Sequence, residues 1–167
     1  MRESFGIMCL MQLFVASVGA REIPKAEFFG GYSYLSGEIS QGWNSSVNVN
    51  LNSWLGVFGA LSGHHASRQA VSIDSFTYDL GRSSYLFLVG PRVYCRNTGR
   101  VTAFLHGTVG IGSSDSQFLA GLGGGLDVSL TDRISVRLLQ GDYVRDFGNV
   151  IGRGRFSTGI VFRFGQK

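Results

Sequence analysis

The sequence predicts an all-β protein: a closed eight-stranded antiparallel up-and-down transmembrane β-barrel, preceded by an N-terminal signal segment. Three observations carry that expectation. Eight segments alternate apolar and polar residues with a period of two, and the connections between them alternate strictly short and long. The 167-residue chain also holds 25 Gly, 13 Phe and only 2 Pro, with 44% apolar but only 16% charged residues. A typical soluble chain is about 25% charged, so much of this surface must be uncharged.

The length suits one domain. Residues 1–20 read as a secretory signal and 21–167 as the barrel domain. Met1-Arg2-Glu3 forms the charged start, Phe5 to Val18 the short apolar run, and Val18-Gly19-Ala20 the small-residue cleavage site after Ala20. A core helix or membrane anchor is the competing reading, but the run falls short of the roughly 20 residues a helix needs to span a bilayer. No run of about 18 apolar residues follows it.

The strands are expected at residues 27–35, 43–51, 55–65, 84–95, 101–111, 117–130, 134–145 and 155–164. Each sorts by parity into two faces. One face collects bulky apolar side chains, such as Phe28, Val47, Val57, Phe87, Leu105, Leu126, Val136 and Phe162. The other collects Glu27, Asn44, Asn48, His64, Arg92, Tyr94, His106, Asp127, Arg137 and Arg163 among small residues and glycines.

A soluble sandwich or lipocalin-like carrier would alternate too, with its apolar face inward. Crowding decides between them. The interior of an eight-stranded barrel is just wide enough to be filled by side chains, and the small, polar, Gly-rich face fits that concave side. The bulky face suits the convex exterior, which is the arrangement of a barrel in lipid.

Connections 52–54, 97–99 and 131–133 are three-residue turns, whereas 36–42, 66–83, 112–116 and 146–154 are longer and polar. Asn97-Thr98-Gly99 suits a type I turn with Gly99 at positive φ. These turns place Asp127 opposite Arg137 as a cross-strand ion pair, Tyr94 opposite Thr102 and Gly90 opposite His106. Glu27 and Arg163 share the inner face where the first and last strands must meet. Gln140 and Asp142 fall on the lipid face unless a bulge near Gly141 resets the phase. Pro91 lacks a ladder donor, so a local distortion is expected at Gly90-Pro91.

Little else in the chain points to chemistry. The basic excess of 15 over 11 is spread along the sequence with no clustered stripe, so no nucleic-acid partner is expected. Cys9 and Cys95 make no disulfide framework or thiolate zinc site. His64, His65 and His106 do not supply a converging ligand set. Ser62, His64 and Asp74 or Asp79 have the residue types of a triad, but nothing in the sequence brings them into hydrogen-bond reach. No catalytic residue, metal or cofactor is assigned.

The stretches Phe29-Gly30-Gly31-Tyr32-Ser33-Tyr34, Gly90-Pro91-Arg92 and Gly124-Gly125-Leu126-Asp127-Val128, with the ending Gly159-Ile160-Val161-Phe162-Arg163-Phe164, resemble small bacterial outer-membrane β-barrel proteins of the OmpA-like class. The resemblance covers nearly the whole mature chain. It implies residence in the bacterial outer membrane, contact with its lipid, and reading of Phe162 and Phe164 by the barrel-assembly machinery. Gly165-Gln166-Lys167 depart from the pattern, in which an aromatic is usually last.

The sequence is therefore expected to encode a monomeric membrane barrel with a structural or surface-interaction role. Glu27, Arg92, Asp127, Arg137 and Arg163 would form its polar lumen network. Arg68, Asp74, Phe76, Tyr78 and Asp79, in the longest irregular segment, would be its outer-loop contacts with an unidentified external partner. A narrow pore and an outer-membrane lipid-modifying enzyme are the alternatives.

Overall fold

The computed structural model describes residues 23–36, 40–66, 71–73, 76–78, 82–96, 99–113, 118–147 and 152–165. The predicted signal segment lies outside them. The strands in chain order are β1 (Ala26–Leu35), β2 (Ser40–Asn50), β3 (Leu55–Ala66), β4 (Val71–Ile73), β5 (Phe76–Tyr78), β6 (Arg82–Arg96), β7 (Val101–Gly112), β8 (Phe118–Ser129), β9 (Ile134–Asp146) and β10 (Gly152–Phe164). Eight of them form a closed antiparallel barrel in which β10 returns to pair with β1. The short strands β4 and β5 make a separate hairpin within the connection from β3 to β6. Several strands run further into the longer connections than the alternation alone indicated: β2 begins at Ser40 and β10 at Gly152.

Polarity is inverted relative to a water-soluble protein. Leu122 is 73% exposed and Leu105 59%, while Arg137 and Arg155 are fully buried. Exposed Phe28, Val47, Val57, Phe87, Val109, Leu126, Ile160 and Phe162 continue the apolar exterior around the barrel. In water this would be an apolar patch far above the few hundred Å² that soluble monomers expose. In lipid it is the required surface. Tyr32, Trp43 and Tyr85 sit at one level, linked through the pairs Tyr32↔Trp43, Trp43↔Gly63 and Gly63↔Tyr85. Gly63 lets the two rings close over it, since a Cβ there would lie 2.8 Å from Trp43 Nε1 and 3.1 Å from Tyr85 Cε1.

Two of the short turns share one construction. Asn52 Oδ1 accepts from the amides of Trp54 and Leu55, and Thr131 Oγ1 accepts from those of Arg133 and Ile134. In each, a short polar side chain holds the backbone reversal at its first position.

The turn between β6 and β7 departs from expectation. Arg96 pairs with Thr102, Tyr94 with Phe104 and Arg92 with His106, two residues from the anticipated register. Gly99 does not take a positive φ; among described glycines only Gly165 does, at 69°. The slip of two keeps every side chain on its expected face. It sets Arg92 and Tyr94 against Phe104 inside the barrel, and that packing overrides the local turn preference. The β6–β7 ladder is interrupted at Gly90-Pro91 and resumes in the same register, from Val89↔Val109 to Arg92↔His106.

A bulge does reset β9, but at Leu138-Leu139 rather than near Gly141. Leu126 pairs with Leu139 while the adjacent Asp127 pairs with Arg137. The ladder with β10 shifts at the same place, between Ser157↔Gln140 and Gly159↔Arg137. Leu138 and Leu139 both face outward, and Gln140 and Asp142 turn into the lumen. Two consecutive leucines are the pair that a lipid-facing bulge accommodates at least cost.

This geometry makes asymmetric predictions for single deletions. Removing Leu138 should regularise the ladder, keep the lumen side chains in place and leave a barrel that migrates faster on gels before boiling than after. Removing Gly141 should turn Asp142 into lipid, where an ionised carboxylate is destabilising, and take it out of its bonds with Gln140 and Arg155. That variant should lose the compact gel species.

Candidate functional site: the charged lumen and the loop end

The lumen contains charged side chains that are buried or nearly so, and each is positioned by strand parity. At the end carrying the short turns, Tyr94 Oη donates to Glu27 Oε2 at 2.7 Å. Arg96 approaches Glu27 Oε1 at 3.4 Å and donates to Asn50 Oδ1 at 3.0 Å. Glu27 and Arg163 are cross-strand partners on the closing seam, 3.9 Å apart, and Arg163 also donates to Ser129 Oγ at 2.7 Å.

At mid-height, Arg137 grips Asp127 with two parallel bonds, Nε to Oδ1 at 2.8 Å and Nη2 to Oδ2 at 3.0 Å. Its third nitrogen donates to Gln140 Oε1 at 2.7 Å. The guanidinium also lies 4.3 Å from the Phe29 ring centroid and 4.5 Å from that of Phe104. Arg92 likewise lies 4.1 Å from the Phe58 ring centroid and 4.5 Å from that of Phe104. A desolvated cation–π contact contributes roughly 2 kcal/mol, so the inward phenylalanines are partners of the arginines as well as filler.

Towards the loop end, Asp142 is the hub. It accepts from Gln140 Nε2 at 2.9 Å and Arg155 Nε at 2.9 Å, and its Oδ1 lies 2.6 Å from His106 Nε2. Arg155 continues to Ser62 Oγ at 3.0 Å. One connected chain therefore runs Asp127–Arg137–Gln140–Asp142–Arg155–Ser62, joining β8, β9, β10 and β3 across the lumen. Nearby, His64 Nε2 lies 3.0 Å from Ser33 Oγ, which also accepts from Ser157, and Asn44 donates to Ser157 Oγ. Above these, Leu86, Leu88, Leu119 and Val144 form a buried apolar cluster.

The sequence-derived lumen residues Glu27, Arg92, Asp127, Arg137 and Arg163 are all buried on the inner face. They do not form one group. Asp127 and Arg137 pair, Glu27 and Arg163 approach at the seam, and Arg92 lies beside Phe58 and Phe104 without a carboxylate partner of its own. Asp142, Gln140, Arg155 and Arg96 belong to the same interior but are not among the lumen residues that the sequence indicated; Gln140 and Asp142 were expected there only if a bulge reset the strand. Arg155 could have been found by parity, since it precedes outward Phe156. Asp142 and Gln140 could be assigned only once the bulge was located.

Ser62 and His64 are engaged with Arg155 and Ser33 rather than with each other. Of the proposed loop contacts, Arg68, Asp74 and Asp79 lie outside the described residues, and Phe76 and Tyr78 are placed only as backbone in β5. Cys95 is a free thiol, as is consistent with its lone position in the described chain.

No protein-family model and no curated protein matches the sequence. Solved structures do match in shape. Ail, the attachment invasion locus protein of Yersinia pestis, superposes with a TM-score of 0.59 at 16% identity, covering 84% of this chain and 99% of Ail. Neisserial surface protein A superposes at 0.57 and 12% identity, covering 83% of this chain and 96% of its own. A de novo designed transmembrane β-barrel superposes at 0.59 and 11%, covering 86% and 99%. The fold is that of small outer-membrane β-barrels. At such low identity the agreement lies in strand number, closure and inverted polarity, not in shared lumen residues.

The pairing of Asp127 with Arg137 yields a direct test. Arg137→Ala should destabilise the barrel by about 3–5 kcal/mol, because it leaves a carboxylate buried without its partner. Asp127→Ala combined with it should recover part of that loss. Urea unfolding of the single and double variants in lipid vesicles measures the coupling, and strict additivity would remove the pair from the stability account.

Proposed function

We propose that this chain is an integral protein of the bacterial outer membrane, of the OmpA-like kind, whose barrel is a rigid platform for surface interaction by its loop end. The supporting observation is the interlocked lumen. A bidentate ion pair, the Asp142 hub and the apolar cluster at Leu86, Leu88, Leu119 and Val144 fill the interior of an eight-stranded cylinder. Such an interior favours a support over a conduit.

The β4–β5 hairpin extends the connection between β3 and β6 at the loop end and pairs with no barrel strand. Val71–Ile73 pairs antiparallel with Phe76–Tyr78 as a short two-stranded ribbon. Arg68, Asp74, Phe76, Tyr78 and Asp79 are the candidate contacts it carries or adjoins. The partner is external, and the barrel acts as a monomer in outer-membrane lipid after insertion by the barrel-assembly machinery. No catalytic step is part of this reading. Ail has been solved with the heparin analogue sucrose octasulfate, which makes a sulfated glycan the natural first probe.

Replacing residues 67–81 by a short Gly-Ser turn should leave outer-membrane fractionation and heat-dependent gel mobility unchanged. Unfolding stability should move by no more than about 0.5 kcal/mol, the usual range for surface changes. Binding of whole cells to heparin-coated and epithelial surfaces should fall to the level of cells lacking the protein. Equal adhesion with and without the segment would defeat the surface role, and a chain found in the aqueous fraction would defeat the membrane assignment.

A further inference from the structure

Among the described lumen residues, three buried carboxylates face five guanidinium groups. Glu27 approaches Arg96 and Arg163, Asp127 takes Arg137, and Asp142 takes Arg155. Arg92 is the fifth, and it forms no ion pair with a carboxylate. It is 1% exposed; its charged neighbours are the Arg137 cation and the Glu27 carboxylate, which Arg96 and Arg163 already share. A guanidinium stays charged in any protein environment, and an isolated buried charge is strongly unfavourable unless something compensates it.

The geometry shows where compensation is missing. Phe58 and Phe104 lie with their ring centroids 4.1 and 4.5 Å from the Arg92 guanidinium carbon, and neither ring offers its N–H groups a conventional acceptor. Its contact with Tyr94 accounts for part of the rim. Both Nε and Nη2 are buried without a protein acceptor. Those two nitrogens form the parallel fork that, in Arg137, holds the two oxygens of Asp127. Arg92 thus presents the same edge, beside two rings, with no protein acceptor on it.

We propose that the Nε/Nη2 edge of Arg92 binds a small monovalent anion, chloride or one of similar size, enclosed in the lumen. The fork supplies two charge-assisted donors. The surrounding Phe58, Phe104 and Tyr94 side chains are all nearly fully buried, which keeps bulk solvent from this edge. Water is the rival occupant. Asn48, whose Oδ1 is also buried without a partner, sits over Gly56, the cross-strand neighbour of Arg92, and a water could bridge the two. Water would satisfy the donors but not the charge.

Two measurements on the full-length barrel separate these occupants. Crystals grown in sodium bromide should show an anomalous peak beside Arg92 Nε and Nη2. Unfolding of the barrel in lipid vesicles, at fixed ionic strength, should be about tenfold less favourable in chloride at ten times its dissociation constant than in gluconate, an anion too bulky to enter. Arg92→Met should remove that dependence on the anion, and Arg92→Lys, which keeps the charge but loses the fork, should reduce it. Should both variants fail to fold, the bromide peak in the unaltered protein still decides. Absence of the peak together with equal unfolding in the two salts would overturn the proposal in favour of water.

Discussion

A strand in lipid cannot leave its backbone donors and acceptors unpaired, because no water is present to take them. Everything else in this molecule follows from the closure that this imposes. The seam between β1 and β10 completes the cylinder, and it is tight: Gly31 and Gly159 are cross-strand partners, and a Cβ on Gly31 would lie 2.8 Å from Gly159 Cα. With no free edge in the barrel, the only remaining freedom is which face of each strand turns outward. Lipid decides that, and the polar face is left inside.

Eight strands enclose little volume, so the polar face must pack as a protein core packs. The described lumen solves this with long arginines rather than with small hydroxyls alone. Arg137 and Arg92 each fill space with an aliphatic stem and a flat head, and Phe29, Phe58 and Phe104 provide the surfaces on which those heads stack. Arginine suits this role better than lysine, because its planar head can stack and hydrogen-bond in the same plane at once. Buried ion pairs are weak evidence for net stability. Here their consequence is directional: each bidentate contact accepts one relative placement of two strands, and so resists slippage of the register.

Much of the architecture was legible in the chain because a period of two is a strong signal when both faces are extreme. Outward Phe162 and inward Arg163 needed no coordinates. The strand pair carrying Asp127 and Arg137 was legible too, since Thr131 makes a turn whose geometry depends on its own side chain. The β6–β7 register was not. A shift of two leaves the pattern of faces intact, so only the packing of Arg92, Tyr94 and Phe104 distinguishes the alternatives. The grouping of the lumen charges was hidden for a similar reason: parity says that a side chain points inward, but not at what height or towards which partner.

The bulge on β9 shows how closely the lipid face and the lumen are tied. With unbroken alternation, the inward positions after Arg137 would be Leu139 and Gly141, and Gln140 and Asp142 would face the membrane. The extra residue at Leu138-Leu139 converts that spacing, so that Arg137, Gln140 and Asp142 all turn inward on one strand. Arg137 then reaches Gln140, Gln140 reaches Asp142, and Asp142 gathers His106 and Arg155 from opposite sides. A single irregularity in the ladder both keeps a carboxylate out of lipid and creates the central polar chain. The two leucines exposed at the bulge tolerate it because lipid, unlike a packed core, fits itself to an uneven apolar surface.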